Sequence, residues 1–263
     1  MATDSSPLDR LLAIMARLRD PEHGCAWDRA QSFATIAPYT IEEAYEVADA
    51  VARDDLAGIK DELGDLLLQV VFHARIAEEA GQFDFADVAA AIAAKMEARH
   101  PHIFGGHDAG PPGETRWENL KAQERTARGA TSALDGVALA LPALMRAEKL
   151  QKRAARVGFD WPDTAGPTDK LAEELCELAE AITPQDRAEE AGDLLFAAVN
   201  VVRAHGIAAE DALRAANAKF ERRFRAMETL AKQAGQTFAE LSLDEQEALW
   251  QAVKRGEKHR ANG

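Results

Sequence analysis

The chain carries Glu173-Glu174-Leu175-Cys176-Glu177 and then, past a Thr183-Pro184 turn, Glu190-Ala191-Gly192-Asp193-Leu194-Leu195. The same pattern stands earlier as Glu42-Glu43-Ala44-Tyr45-Glu46 followed by Glu62-Leu63-Gly64-Asp65-Leu66-Leu67. Residues three or four apart share a helical face, so Glu174 projects with Glu177, and Glu190 with Asp193. The turn makes the two helices antiparallel neighbours, and the carboxylate pairs then face each other across one groove. Leu171, Leu175 and Leu178 on one helix, with Leu194, Leu195 and Val199 on the other, are expected to pack. Ionised carboxylates among apolar residues are costly unless a positive group neutralises them. An oxygen-only ligand set without His or Cys points to a hard divalent cation, Mg²⁺ with Mn²⁺ as a substitute. The chemistry such an ion supports is metal-assisted attack of water on a phosphoanhydride.

The plainer alternative is a solvated acidic face. Two linked acid pairs per copy argue against it, as does a glycine (Gly64, Gly192) inside each Glu-x-x-Asp. Glycine there lowers helix propensity by about 1 kcal/mol relative to alanine, which close helix approach or ligand clearance would justify. A carboxylate-bridged di-iron bundle needs Glu-x-x-His on two helices. Glu97-x-x-His100 has no counterpart, since Phe224 stands at the matching position.

Working outward, helical periodicity predicts helices over 8–18, 40–53 with Thr40 as N-cap, 55–79, 85–99, 114–128, 140–157, 168–182, 185–205, 209–232 and 244–258. No strand alternation of any length interrupts them, and the fold expected is all-α. Lys95 and Arg99 reappear as Lys219 and Arg223, so a helical domain is duplicated, as residues 1–128 and 133–263 joined by a linker at 129–132. The 263 residues are 47% apolar and only 6% aromatic, a helix-forming composition with ample core. A formal charge of −14 argues against a nucleic-acid polymer as partner and makes any polyanionic substrate depend on metal ions and a few placed cations. Cys25 and Cys176 lack close Cys or His partners and read as free thiols. No apolar run approaches membrane-spanning length, and a soluble cytoplasmic protein is the expectation.

Taken together, these residues resemble the MazG family of nucleoside triphosphate pyrophosphohydrolases, in its tandem-domain form within the all-α NTP pyrophosphatase superfamily. The doubled acid signature carries the resemblance, with Gly24-Cys25-Ala26-Trp27-Asp28, Arg99-His100-Pro101-His102 and Val157-Gly158-Phe159-Asp160-Trp161. The resemblance implies two duplicated helical-bundle domains and Mg²⁺-dependent hydrolysis of NTPs, and of dNTPs, to a nucleoside monophosphate and pyrophosphate. It implies a homodimer, broad base preference and a role in clearing non-standard or excess nucleotides. Glu174, Glu177, Glu190 and Asp193 would be the metal ligands and catalytic acids, with Glu43, Glu46, Glu62 and Asp65 as a second site. Lys219 and Arg223 would hold phosphate oxygens, Lys170 would assist, and Trp250 to Lys254 would close over the nucleotide. Glu173, Glu189 and Asn200 complete the implied substrate contacts. On the residues alone, a solvated helix face is the lesser alternative for Lys219 and Arg223, and a core or dimer contact fits Trp250 equally.

The two copies differ beside the acids. Asn200 corresponds to Phe72, and Asn217 to Ala93, so amides in the second copy are replaced by apolar side chains in the first. The second copy is therefore expected to be the catalytic one. A different class of function stands beside this, a non-catalytic helical scaffold or regulatory protein that retains a metal site.

Overall fold

The computed structural model describes residues 6–105, 121–122, 124, 126–127 and 129–261. Every regular element among them is helical. The chain divides into two compact units, Met1–Leu120 and Lys121–Gly263, so the division precedes the 129–132 stretch expected as linker. Most of the helix expected over 114–128 lies outside the described residues.

The first unit contains α1 (Pro7–Leu18), α2 (Ala26–Ala30), α3 (Phe33–Ala52), α4 (Leu56–Glu79), α5 (Phe85–Arg99) and α6 (Pro101–Phe104). Helix α3 begins at Phe33, not at Thr40. Ser32 caps it in a reciprocal box with Thr35, and Pro38 sits inside the helix. One missing N–H near the start of a long helix is outweighed by that cap and by the burial of Ile36 against Met15, Val71 and Phe72. Thr40 instead meets His73 Nε2 at 3.1 Å. Asp55 caps α4 by accepting the Gly58 N–H at 2.9 Å, and α3 and α4 pack side by side. Arg19, nearly buried, donates to Glu79 from Nε and Nη2 and lies 5.3 Å over the Phe72 ring.

The second unit contains α7 (Ala143–Ala155), α8 (Ala165–Glu180), α9 (Pro184–Ala204), α10 (Ala209–Gln233), a 3₁₀ turn (Phe238–Glu240) and α11 (Leu243–Ala261). Thr183 and Asp186 form a capping box, and Pro184 occupies the first turn of α9, where its missing N–H is harmless. Helices α8 and α9 pack against each other, as α3 and α4 do. The buried apolar side chains are smaller than in the first unit, chiefly Ala197, Val199, Ala209 and Ala231 with Met227 and Val253. Leu175 and Leu195, expected in the α8–α9 seam, are each 59% exposed. The seam closes on residues such as Val199, and these two leucines form apolar surface. No helix among the described residues is long and apolar enough to cross a membrane.

Glu148 on α7 ties the second unit together. It is buried, and its Oε2 accepts the N–H of Ala209 at 3.1 Å, supplying a cap that α10 lacks from its own flanking residue. Burial pushes its carboxyl up, but Lys152 and the Ala209 N–H outweigh that and hold it below its ordinary value. Glu148→Ala leaves this N–H buried without an acceptor. The substitution should lower the unfolding free energy by about 1–3 kcal/mol, read from urea denaturation of the full chain. An unchanged midpoint would show that the cap contributes nothing.

Candidate active site

Helices α8 and α9 bring Glu174, Glu177 and Glu190 together, with one carboxylate oxygen from each lying within 4.8 Å of the others. In the first unit α3 and α4 do the same for Glu43, Glu62 and Asp65. The i,i+3 spacing and the tight interhelical turn suffice to produce both clusters. Asp193 stands beside the second unit's cluster, and its charge helps to raise Glu190. Glu46 stands beside the other, and its charge helps to raise Glu62.

Crowding shows in the protonation equilibria. Burial first, then Glu177, Glu174 and Asp193, holds Glu190 above the ordinary 4.5. Burial first, and then repulsion from Glu174 and Glu173 against the pull of Lys170, raises Glu177. Glu43 and Glu62 are raised in the same way by burial and by their acidic neighbours. Glu174 is only 5% exposed, and its Oε2 has no hydrogen-bond partner. Its Oε1 is 2.6 Å from Lys170 Nζ, which also donates to Glu173 at 2.7 Å. These bonds, Glu173 first, hold the Lys170 ammonium above its ordinary range. Converging hard oxygens, one of them buried and unpartnered, fit a divalent cation.

A cavity of about 650 Å³ adjoins the second cluster. Lys170, Glu174 and Asp193 form part of its wall, with Asn200 and Trp161, and Leu134, Phe159 and Phe196 supply apolar surface. A Cβ on Gly166 would collide with the Trp161 indole, so glycine at the start of α8 lets that ring sit where it does. In the first unit the comparable space, bordered by Trp27, Tyr39 and Phe72, is about 130 Å³. Phe72, 4% exposed, belongs to the core there.

The other expected site residues lie elsewhere. Glu189 is exposed on α9. Lys219, Arg223, Trp250 and Lys254 are on α10 and α11 and do not line the cavity. Arg223 donates to Glu257 at 2.8 Å and lies 5.4 Å over the Trp250 ring, which also meets Phe220. A Cβ on Gly64 or Gly192 would meet nothing within 4 Å, so close helix approach within the chain does not explain either glycine.

Three residues bordering the cavity carried no signal that sequence inspection singled out for the site: Gln151, Arg203 and Phe196. Arg203 Nη1 and Nη2 donate to Asp160 at 3.0 and 2.6 Å, and its Nε and Nη2 donate to Asn200 Oδ1 at 3.0 and 2.5 Å. The Arg203 hydrogen bonds outweigh partial burial and hold the Asp160 carboxyl below its ordinary value.

A family model described as the MazG nucleotide pyrophosphohydrolase domain matches residues 31–104 and 167–227. The chain belongs to the MazG family. It is 52% identical over 257 residues to the nucleoside triphosphate pyrophosphohydrolase of Escherichia coli (strain K12), covering 95% of this chain and 98% of that protein. It is 42% identical over 250 residues to the nucleoside triphosphate pyrophosphohydrolase/pyrophosphatase MazG of Thermotoga maritima, covering 95% and 96%. The two matched segments each contain one acid cluster and one Lys/Arg pair, so the duplication legible in the sequence coincides with two MazG matches. Gln151, Asp160 and Trp161 lie outside both segments.

The raised carboxyls make a signed pH prediction. Groups held above their unfolded value bind more protons in the folded state, so their contribution to stability falls as pH rises from 4.5 through the raised values. A divalent cation needs the deprotonated forms. The gain in Tm on adding Mg²⁺ should therefore be smallest near pH 4.5 and grow as pH rises through that window. A gain that does not change with pH would exclude these carboxylates as the ligands.

Proposed function

We propose that this chain is a nucleoside triphosphate pyrophosphohydrolase, which converts an NTP or dNTP and water into a nucleoside monophosphate and pyrophosphate. The observation that carries the reading is the carboxylate groove of the second unit opening on a cavity of about 650 Å³, room enough for a nucleoside. The near full-length similarity to proteins named for that activity supports it. Mg²⁺ is the proposed ion, held by Glu174, Glu177, Glu190 and Asp193. When bound it would supply charge neutralisation and polarisation of the phosphates. The chain's own contribution is to aim four carboxylates into one groove and to set Lys170 beside it, where its ammonium can also meet a phosphate oxygen.

The second unit is the proposed catalytic one. The wide cavity and the polar Asn200 support this, whereas in the first unit Phe72 closes most of the comparable space. Glu43, Glu46, Glu62 and Asp65 then form a secondary metal site. Lys219 and Arg223 are proposed to hold phosphate oxygens from α10, and Trp250 and Lys254 to close over the nucleotide from α11. Glu173 and Glu189, flanking the groove, complete the substrate contacts. A homodimer is part of the reading. Exposed Leu175, Leu195, Phe196 and Phe220 on the second unit supply apolar surface of the kind a partner copy covers. Clearing non-standard or excess nucleotides in the cytoplasm is the proposed role, and the charge of −14 supports a free nucleotide rather than a polymer as substrate.

Incubation of the full chain with each NTP and Mg²⁺ should release the monophosphate and pyrophosphate in equal amounts. A diphosphate and orthophosphate as products would refute the reading, and binding with no turnover would favour a regulatory scaffold. Glu177→Ala and Asp193→Ala should each lower kcat by more than about 100-fold, beyond the usual effect of outer-shell changes, with helicity by circular dichroism retained. Glu46→Ala and Asp65→Ala should leave turnover within about threefold of the parent, a change of well under one kcal/mol in barrier. Equal losses from both sets would assign catalysis to both units.

A further inference from the structure

The cavity contains two amides whose orientation is fixed by their neighbours. Gln151 on α7 is 6% exposed and lines the cavity. Its Nε2 donates to the Phe196 carbonyl at 2.8 Å, and the opposite orientation would set two oxygens against each other. Its Oε1 therefore points away from that carbonyl, buried and without a hydrogen-bond partner. A buried acceptor left unpaired is destabilising unless a ligand donor meets it. Asn200, 7% exposed, is fixed in the complementary sense. Its Oδ1 accepts from Arg203, which Asp160 holds in turn, so its Nδ2 is the group left to donate, and among the described residues nothing accepts from it.

The rest of the wall decides what kind of ligand this pair serves. Phe159, Trp161, Phe196 and Leu134 offer flat apolar surface. The cations that border the cavity are engaged, Arg203 by Asp160 and Lys170 by the glutamates, so the space away from the groove suits an uncharged heteroaromatic ring better than more phosphate.

We propose that this cavity receives the nucleobase, that Gln151 Oε1 and Asn200 Nδ2 read its hydrogen-bonding edge, and that Asp160 and Arg203 act as positioning residues for Asn200. The inference rests on the nucleotide reading of the carboxylate groove. One fixed acceptor and one fixed donor on the same cavity match the exocyclic amine and ring nitrogen of adenine or cytosine. In the reverse sense they match the ring N–H and carbonyl oxygen of guanine or uracil. The site thus selects nucleotides whose base offers a donor next to an acceptor, with tolerance among them. A base without the donor leaves Gln151 Oε1 as it stands in the free protein.

The test compares ATP with purine riboside triphosphate, which keeps the ring acceptor but has hydrogen in place of the 6-amino group. It is run on the full chain carrying Asp65→Ala, so that only the second unit is measured. ATP should be preferred by at least about tenfold in kcat/KM, with the difference in KM, because a site built to hydrogen-bond a substrate group rejects an analogue lacking it. Gln151→Met should collapse that preference towards one. Equal kcat/KM for the two nucleotides in the parent overturns the inference without needing the variant to fold, and so does a preference that survives Gln151→Met. If neither nucleotide yields monophosphate and pyrophosphate, the pyrophosphohydrolase reading itself fails, and this inference fails with it.

Discussion

Like charges held within one groove are the constraint on which the second unit turns. Glu174, Glu177 and Glu190 can approach within 4.8 Å only because two helices are pinned together by a capped turn and an apolar seam. Without a positive partner the chain answers the repulsion in two ways. Glu177 and Glu190 are held above their ordinary protonation range, and Lys170 reaches across one turn of α8 to Glu174. Neither answer is complete, because Glu174 Oε2 remains buried and unpartnered. The groove is a site whose electrostatics improve when a cation enters.

The first unit meets the same constraint with different neighbours. Four residues before Glu43 stands Tyr39, where the second unit has Lys170 before Glu174. Four residues after Asp65 stands Gln69, where the second unit has Ala197 after Asp193. Gln69 Nε2 reaches Glu43 at 3.4 Å, so a neutral amide stands in for the ammonium. Phe72 fills what Asn200 leaves open, and Arg19 covers the Phe72 ring while paired to Glu79. Side-chain volume separates two helix pairs that otherwise share one plan. It builds a core in one unit and leaves a cavity in the other.

Much of this was legible because it is local. Acid spacing at i,i+3, a Thr-Pro turn and the recurrence of Lys and Arg four apart act within a few residues, and each survives into the fold. The failures are non-local or competitive. Thr40 was expected as an N-cap, but the Ser32–Thr35 cap and the burial of Ile36 start α3 a full two turns earlier, with Pro38 inside it. Leu175 and Leu195 were assigned to the seam by their type, yet their angular positions on α8 and α9 leave both exposed. Asp160 stands out in its loop motif and Asn200 as the counterpart of Phe72, but nothing in the sequence joins them. The Arg203 bridge spans 43 residues.

That bridge explains why the loop before α8 carries both an acid and an aromatic. Asp160 turns the loop back onto α9, and its salt bridge to Arg203 is shielded on the Arg203 side, where the side chain is 11% exposed. The adjacent Trp161 is thereby brought against Gly166, which has no Cβ to obstruct it. Residue identity at three separated places thus fixes one wall of the cavity, while α7 supplies the opposing Gln151. The metal groove could be built by any two helices with correctly spaced acids. A shaped, polar-edged cavity beside it requires α7, the 158–163 loop and α9 to agree, and the order at Asp160, Arg203 and Asn200 is what makes that agreement specific.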